Sequence, residues 1–258
     1  MNTNTQKKII TVMTAIFLTC AYICWGYVVC AGIPQTTSFL AAQTIDDSAS
    51  PFTTDELVKG AVAVRDYSFD THDRRALEST IRSMNQSAET SYADDPFETG
   101  VPDPYTLSED AIGHLDDVNT IASTAFYPIL GITAIAIFCL MCALWMFGMK
   151  IAGRALLAAG IIGLSLIAVL ALWAIFGFSS LFTVFHGLFF ADGSWTFPAD
   201  SLLITMLPQD FWIGMAGIWL ATTALLCVVS IILGLIIRKR EGRTSKPAGD
   251  STLLQHAQ

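Results

Sequence analysis

ALLAAGIIGLSLIAVLALWAIFGFSSLFTVFHGLFFA, residues 155–191, runs 37 residues without an Asp, Glu, Lys or Arg, and His186 is its one histidine. A bilayer core about 30 Å thick is crossed by roughly 20 helical residues. At about 1.5 Å per residue this run would reach about 55 Å, too long for one straight span. The surplus has to turn at the membrane surface, and His186 falls in it among Phe182, Phe185, Phe189 and Phe190. A titratable ring held at a membrane boundary by aromatics points to chemistry on lipid.

Three further segments share this character. Residues 9–33, 125–149, 155–179 and 211–237 are each long enough to span, and none contains a charged residue. Hydrophobic residues make up 53% of the chain and charged residues 14%, outside the ordinary range of soluble domains. The expected fold class is an all-α membrane protein with four transmembrane helices.

Charge sets the orientation. Lys7 and Lys8 precede the first span, Lys150 and Arg154 bracket the turn after the second, and Arg238, Lys239, Arg240, Arg243 and Lys246 follow the fourth. With alternating spans these share one side, which the positive-inside rule makes the cytoplasm, with both termini there. Residues 34–124 hold 17 acidic and 5 basic side chains, and residues 192–210 add Asp192, Asp200 and Asp210 with no base. Both segments are expected to face outward, and the net charge of −8 argues against nucleic-acid binding. The apolar stretch of the first segment exceeds the 7–15 residues of a cleaved signal peptide, so it reads as a signal anchor. Leu18-Thr19-Cys20 and Val28-Val29-Cys30 lack the small residue that precedes a lipid-modified cysteine. All six cysteines lie in apolar spans, so no disulfide framework holds the outer segment, and Cys139 and Cys142 read as packing residues.

The outer segment 34–124 reads as a mostly helical lobe. Thr54-Asp-Glu-Leu57 suits a helix start, with Asp55 and Glu56 at the positive end of the dipole. A second helix is expected from Asp73 to about Asn85, and residues 86–104 read as an exposed connector. Ser108-Glu109-Asp110 opens a third helix with no breaker before Tyr127-Pro128, so it should run directly into the second span. His114 lies on it, one turn from Asp110, Asp117 and Val118. An aspartate at that distance can fix an imidazole tautomer and raise its basicity. Residues 180–210 are expected to form an interfacial aromatic loop and residues 238–258 a cytoplasmic tail. His114 and His186 would thus meet at one membrane face.

His114-Leu-Asp-Asp-Val118, followed about 70 residues later by Phe185-His-Gly-Leu-Phe-Phe190, Ser194-Trp-Thr-Phe197, Asp200-Ser-Leu-Leu-Ile204 and Leu207-Pro208 with Phe211-Trp212, resembles the lipoprotein intramolecular transacylase (Lit) family of four-span bacterial proteins. The resemblance covers nearly the whole chain, and its second cluster is the specific part. It implies an enzyme of the bacterial cell membrane with its site on the extracytoplasmic face. Its substrates would be diacylglyceryl-modified lipoproteins within membrane lipid. It would move the sn-2 acyl chain onto the α-amino group of the same cysteine, giving a lyso-form lipoprotein. The two functional histidines of the family map onto His114 and His186, and its acidic position onto Asp117. Asn119 departs from the pattern, which has a basic residue there in many members.

Ester-to-amine acyl transfer is downhill and calls for no nucleotide or other cofactor, and no glycine-rich phosphate loop is present. The amine must lose a proton and the departing glyceryl oxygen must gain one. With α-amino and imidazole pKa values of about 7.7–8.0 and 6.5, the mismatch costs only about 1.8 kcal/mol. One histidine can serve as base and the other as acid, each worth about 10²–10⁴ in rate. His114, backed by Asp117, reads as base and His186 as acid or oxyanion donor, and the reverse assignment is equally open. Phe185, Phe189, Phe190, Trp195 and Phe197 read as interface anchors that also line an acyl groove. Asp192 and Asp200 read as loop or cap residues, either of which could orient His186, whereas His72 and His256 read as solvated. No metal is expected. Two alternatives stand beside this reading: a metal-dependent membrane hydrolase using His114, Asp117 and His186 as ligands, and a non-catalytic assembly factor. An acyltransferase with an external donor would want His-x4-Asp, but Asn119 occupies that offset, and no Gly-x-Ser-x-Gly elbow supports a serine mechanism.

Overall fold

The computed structural model describes residues 2–244; Lys246 and His256 lie outside the described residues, as does most of the expected tail. Regular structure within them is helical throughout: α1 (Thr3–Gly32), α2 (Pro34–Thr44), α3 (Thr54–Phe69), α4 (Arg74–Ser87), a 3-10 turn at Asp103–Tyr105, α5 (Glu109–Phe147), α6 (Met149–Phe189), α7 (Leu202–Met206) and α8 (Gln209–Thr244). Four of these, α1, α5, α6 and the Gln209–Arg240 part of α8, are long and apolar enough to cross a membrane.

The boundaries have local causes. The α3 helix begins one residue earlier in its chemistry than Thr54, because Thr53 is the cap. Its hydroxyl accepts from the Glu56 N–H while Glu56 reaches back to the Thr53 N–H, a reciprocal capping box. Asp73 caps α4 by accepting from the N–H groups of Arg75 and Ala76. Gly148, at φ 81°, separates α5 from α6, a conformation costly for residues with a Cβ. The helix α2 was not anticipated from its weak apolar pattern; Pro34 opens it at the first helical position, where its missing N–H costs nothing.

The region 180–210 departs from the expected loop. Helix α6 continues to Phe189, and a short α7 follows. The turn demanded by the excess length is instead a kink at Gly177 (φ −167°, ψ 58°). Residues 178–189 contain no proline and are mostly aliphatic and aromatic, so nothing ends the helix before the Asp192-Gly193 turn.

The chain divides into two compact units. One comprises Met1–Tyr22, Ile132–Ser165 and the described part of Ala224–Gln258. Its core is made of small residues: Ala15, Ala21, Ala136 and Ala159, with Leu18 and Leu156. A Cβ on Gly160 would lie 2.5 Å from the Cys227 carbonyl oxygen, and one on Gly234 would lie 2.7 Å from the Gly153 carbonyl. Polar groups cross between helices as well. Thr19 donates to the Ala159 carbonyl at 3.0 Å, and Tyr22 donates to Ser230 (2.8 Å), which donates to the Leu156 carbonyl at 2.8 Å. Lipid offers no hydrophobic drive for helices to associate, so close backbone approach and inter-helix hydrogen bonds supply it. Phe138, Trp145 and Ile161 point outward, as residues facing acyl chains would.

The other unit, Ile23–Gly131 and Leu166–Thr223, packs the way a water-soluble domain does. Phe52, Leu57, Val64, Leu77, Ile81, Ile112, Leu202, Met206 and Phe211 form one continuous buried cluster. Arg65, nearly buried, donates to the carbonyls of Ala31 (3.2 Å) and Gly32 (2.7 Å) at the end of α1 and pairs with Asp66 at 2.6 Å. Those carbonyls have no intrahelical partner and carry the negative end of the helix dipole.

Gly234→Ala is expected to lower the thermal midpoint in detergent by several degrees, on the order of 1–3 kcal/mol for forced separation of packed backbones. Gly217→Ala on the same helix, where nothing lies within 4 Å, should leave the midpoint unchanged or raise it.

Candidate active site

His114 sits in the second turn of α5, whose 39 residues make about 58 Å of helix. That is nearly twice the hydrocarbon thickness, and the end of the helix that bears Glu109, Asp110, Asp116 and Asp117 precedes the uncharged stretch that begins at Val118. His186 lies in the last turn of α6, after the Gly177 kink. The two imidazoles come together with ring centroids 6.2 Å apart and planes 30° from parallel.

Aromatic rings enclose the pair. Phe182 lies 3.9 Å from His186 and Trp195 4.9 Å. Phe190 touches both histidines, at 4.7 Å from His114 and 5.6 Å from His186, and Phe197 stands 5.7 Å from His114. Phe185 meets the edge of His186 at 5.6 Å, while Phe189 packs on Phe185 rather than on either histidine. Phe185 and Phe189 are about half exposed, so the inner wall is Phe182, Phe190, Trp195 and Phe197.

His186 is 8% exposed, and its Nδ1 lies 2.9 Å from the Phe182 carbonyl oxygen. A carbonyl can only accept, so Nδ1 carries the proton and Nε2 the lone pair. The backbone therefore orients this ring, and neither Asp192 nor Asp200, both exposed, does so. The expected aspartate partner of His114 is not seen either. Asp117 is exposed, and among the described residues the buried Nδ1 of His114 has no hydrogen-bond partner. Asp117 therefore acts on the ring only through space. Burial and the neighbouring His186 outweigh that attraction and hold His114 down to about 4. Burial also lowers His186, opposed by its bond to the Phe182 carbonyl. Both rings are therefore neutral at pH 7.

Other expectations fall differently. His72 is not simply solvated: it stacks on Tyr67 at 4.5 Å and lies 3.7 Å from Asp116, in a left-handed conformation at φ 50°. Tyr67 donates to Asp116 at 2.5 Å, and Asn119 donates to the Ser68 carbonyl at 3.2 Å. Thus the position that departs from the family pattern ties α5 to α3. Among the described residues no group of three or more His, Cys, Asp and Glu side chains is arranged to hold a metal ion, so the donor set His114, Asp117 and His186 is not assembled. Sequence reasoning missed the Phe182 carbonyl as the orienting group; its four-residue offset from His186 on a helix was the available signal.

A family model described as lipoprotein intramolecular transacylase Lit matches residues 62–212, more than half of the chain and inclusive of both histidines. No curated protein matches the sequence. Among solved structures, the chain is similar to the in meso structure of the membrane integral lipoprotein intramolecular transacylase Lit from Bacillus cereus. The TM-score is 0.68 at 18% identity, over 93% of this chain and 99% of that one. Structures of the same Bacillus cereus protein with one histidine changed to arginine or to alanine each match with TM-score 0.64 at 18% identity. They cover 93% of this chain and 96% and 97% of theirs. At such identity the likeness is one of fold.

The low proton affinity of His114 has a stability signature. An unfolded chain takes up this proton near pH 6.5, whereas the folded protein does so only near 4. Stability should therefore be unaffected above pH 6.5 and decline as pH falls from about 6.5 to about 4. Denaturation midpoints measured across that range should fall less steeply for His114→Gln than for the parent protein.

Proposed function

Because the chain belongs to the Lit family of lipoprotein intramolecular transacylases, we propose that it moves the sn-2 acyl chain of a diacylglyceryl-modified cysteine onto that cysteine's own α-amino group, using His114 and His186. The observation that carries this reading is the pairing of two imidazoles, from α5 and α6, inside a wall of aromatic rings. The fold is that of a multi-pass membrane protein. The distribution of basic residues supports a site on the extracytoplasmic face of the bacterial cell membrane.

His186 takes the role of base, which reverses the assignment first drawn from the position of Asp117. Its Nδ1–H is anchored on the Phe182 carbonyl, so the Nε2 lone pair is held in a fixed direction. At pH 7 about a tenth of the α-amines with a pKa near 7.7–8.0 are already neutral. The nitrogen adds to the ester carbonyl carbon, the C=O π pair moves to oxygen, and Nε2 takes the amine proton. Collapse of the tetrahedral centre breaks the bond to the sn-2 glyceryl oxygen, which leaves as the alcohol with the proton returned by His186. One amide forms, one ester is lost, and no co-reactant is consumed.

His114 acts in its neutral form. An imidazole too weakly basic to be charged at pH 7 can still donate one N–H to a developing oxyanion. The rings of Phe182, Phe190 and Phe197 exclude water, which favours the amine over hydrolysis, and they provide an apolar bed for the acyl chain. Metal-assisted hydrolysis would remove the acyl group instead of relocating it.

Expressed in bacteria that make only diacylglyceryl lipoproteins, the protein should convert a reporter's N-terminal lipopeptide to an N-acylated form of unchanged total mass, read by tandem mass spectrometry. Loss of one acyl mass would indicate hydrolysis, and an unaltered fragment spectrum would indicate an assembly factor. His186→Ala should reduce transfer by at least about 10²-fold, and His114→Ala by a comparable factor. With purified protein, kcat/KM should climb with pH towards the substrate amine pKa near 8. A separate acid limb at 6.5 would mean that a histidine titrates normally and would contradict the neutral pair.

A further inference from the structure

In the unit bearing the histidines, two tryptophans show how a part-buried indole N–H is satisfied. Trp212 donates to the Leu207 carbonyl at 3.1 Å, and Trp219 to the Ile23 carbonyl at 3.0 Å. Trp195 differs: its Nε1 is shielded from solvent and has no acceptor among the described residues. An indole N–H is a donor only, and leaving such a group buried and unpaired is destabilising. Buried orphans of this kind are rare and call for a specific explanation. The position supplies one. The Trp195 ring lies 4.9 Å from His186 and 6.2 Å from Phe182, against the imidazole that carries the oriented lone pair. The other orphan nitrogen at the site, His114 Nδ1, belongs to the ring stacked 6.2 Å away from that same imidazole.

We propose that the Trp195 N–H donates a hydrogen bond to the carbonyl oxygen of the reacting ester and stabilises the oxyanion formed when the amine adds. This rests on the transacylase reading above and deepens it. His186 must reach both the attacking nitrogen and the departing oxygen. The carbonyl oxygen, bonded to the same carbon, is the remaining acceptor that the substrate brings beside it. A neutral donor suits this task, because it needs no protonation and strengthens its bond as charge builds on oxygen. The interfacial-anchor reading explains the ring of Trp195 but leaves its N–H without a purpose. Here the ring closes the apolar wall and the N–H completes a pair of donors with His114.

The test uses the full-length protein in mixed micelles with a synthetic peptide carrying an N-terminal S-(2,3-diacyloxypropyl)cysteine. Trp195→Phe keeps an aromatic ring and removes the donor. Its kcat should fall about 10²–10³-fold, the effect of deleting one oxyanion donor, with KM within about twofold of the parent. Replacing Trp195 by 3-benzothienylalanine, which keeps the bicyclic shape with sulfur in place of N–H, should reproduce that loss and decides the matter should the Phe variant fold poorly. Either variant turning over at the parent rate, or one altered in KM alone, would overturn the assignment while leaving the transacylase reading intact. A parent protein that transfers no acyl group overturns both.

Discussion

Two helices outrun the membrane they cross. At about 1.5 Å per residue, the 39 residues of α5 and the 41 of α6 each trace nearly twice the thickness of a hydrocarbon core. A helix keeps its backbone hydrogen bonds along its whole length, so the surplus need not unravel at the interface. It can carry side chains beyond the lipid on a rigid support. His114 lies near the N-terminal end of one such helix and His186 in the last turn of the other. Their positions are therefore fixed by helix geometry rather than by loops. The Gly177 kink redirects the second of these stretches, which a straight α6 would have carried onward along its own axis.

The parts of the fold that follow from composition and period were legible in the sequence. Uncharged runs marked the spans, and the Thr-Asp-Glu and Asp73 signals marked the starts of α3 and α4. Unbroken helical spacing from Ser108 joined the acidic stretch to the second span. What was not legible has a physical pattern. The extension of α6 to Phe189 depends on a choice between kink and loop at Gly177, and glycine permits both. The tautomer of His186 depends on a backbone carbonyl, and every residue has one. The failure of Asp117 to bond His114 depends on which way a side chain turns at a helix surface, where a carboxylate gains more from water than from a neutral ring. Sequence spacing brought the two side chains to the same face; solvation separated them.

Each of the two units is packed internally by different means. Where lipid is the solvent, Ala15, Ala159, Gly160 and Gly234 let backbones approach, and Thr19, Tyr22 and Ser230 bond across. In the unit bearing the histidines, burial of Phe52, Leu57, Ile81 and Ile112 removes large apolar surfaces from water, worth about 1.5–3 kcal/mol for each large side chain. That unit can therefore absorb unfavourable features at its site: two lowered imidazoles, an unpaired indole N–H and an unpaired imidazole nitrogen.

Those features share one cause. Aromatic walls remove water from the histidines, and dehydration opposes the charged form of an imidazole. The same dehydration strengthens every hydrogen bond made to a charge that appears during reaction. A pair of ordinary histidines in water would be better bases and poorer hosts for an oxyanion. In the proposed transfer the attacking amine has a pKa near 8, so a useful fraction is neutral without help, and strong basicity is the property such a reaction least requires. The oxyanion has no such relief, since an ester gains its negative charge only as the new bond forms. Aromatic rings rather than carboxylates line the histidines of this chain, an arrangement consistent with that asymmetry in the proposed reaction.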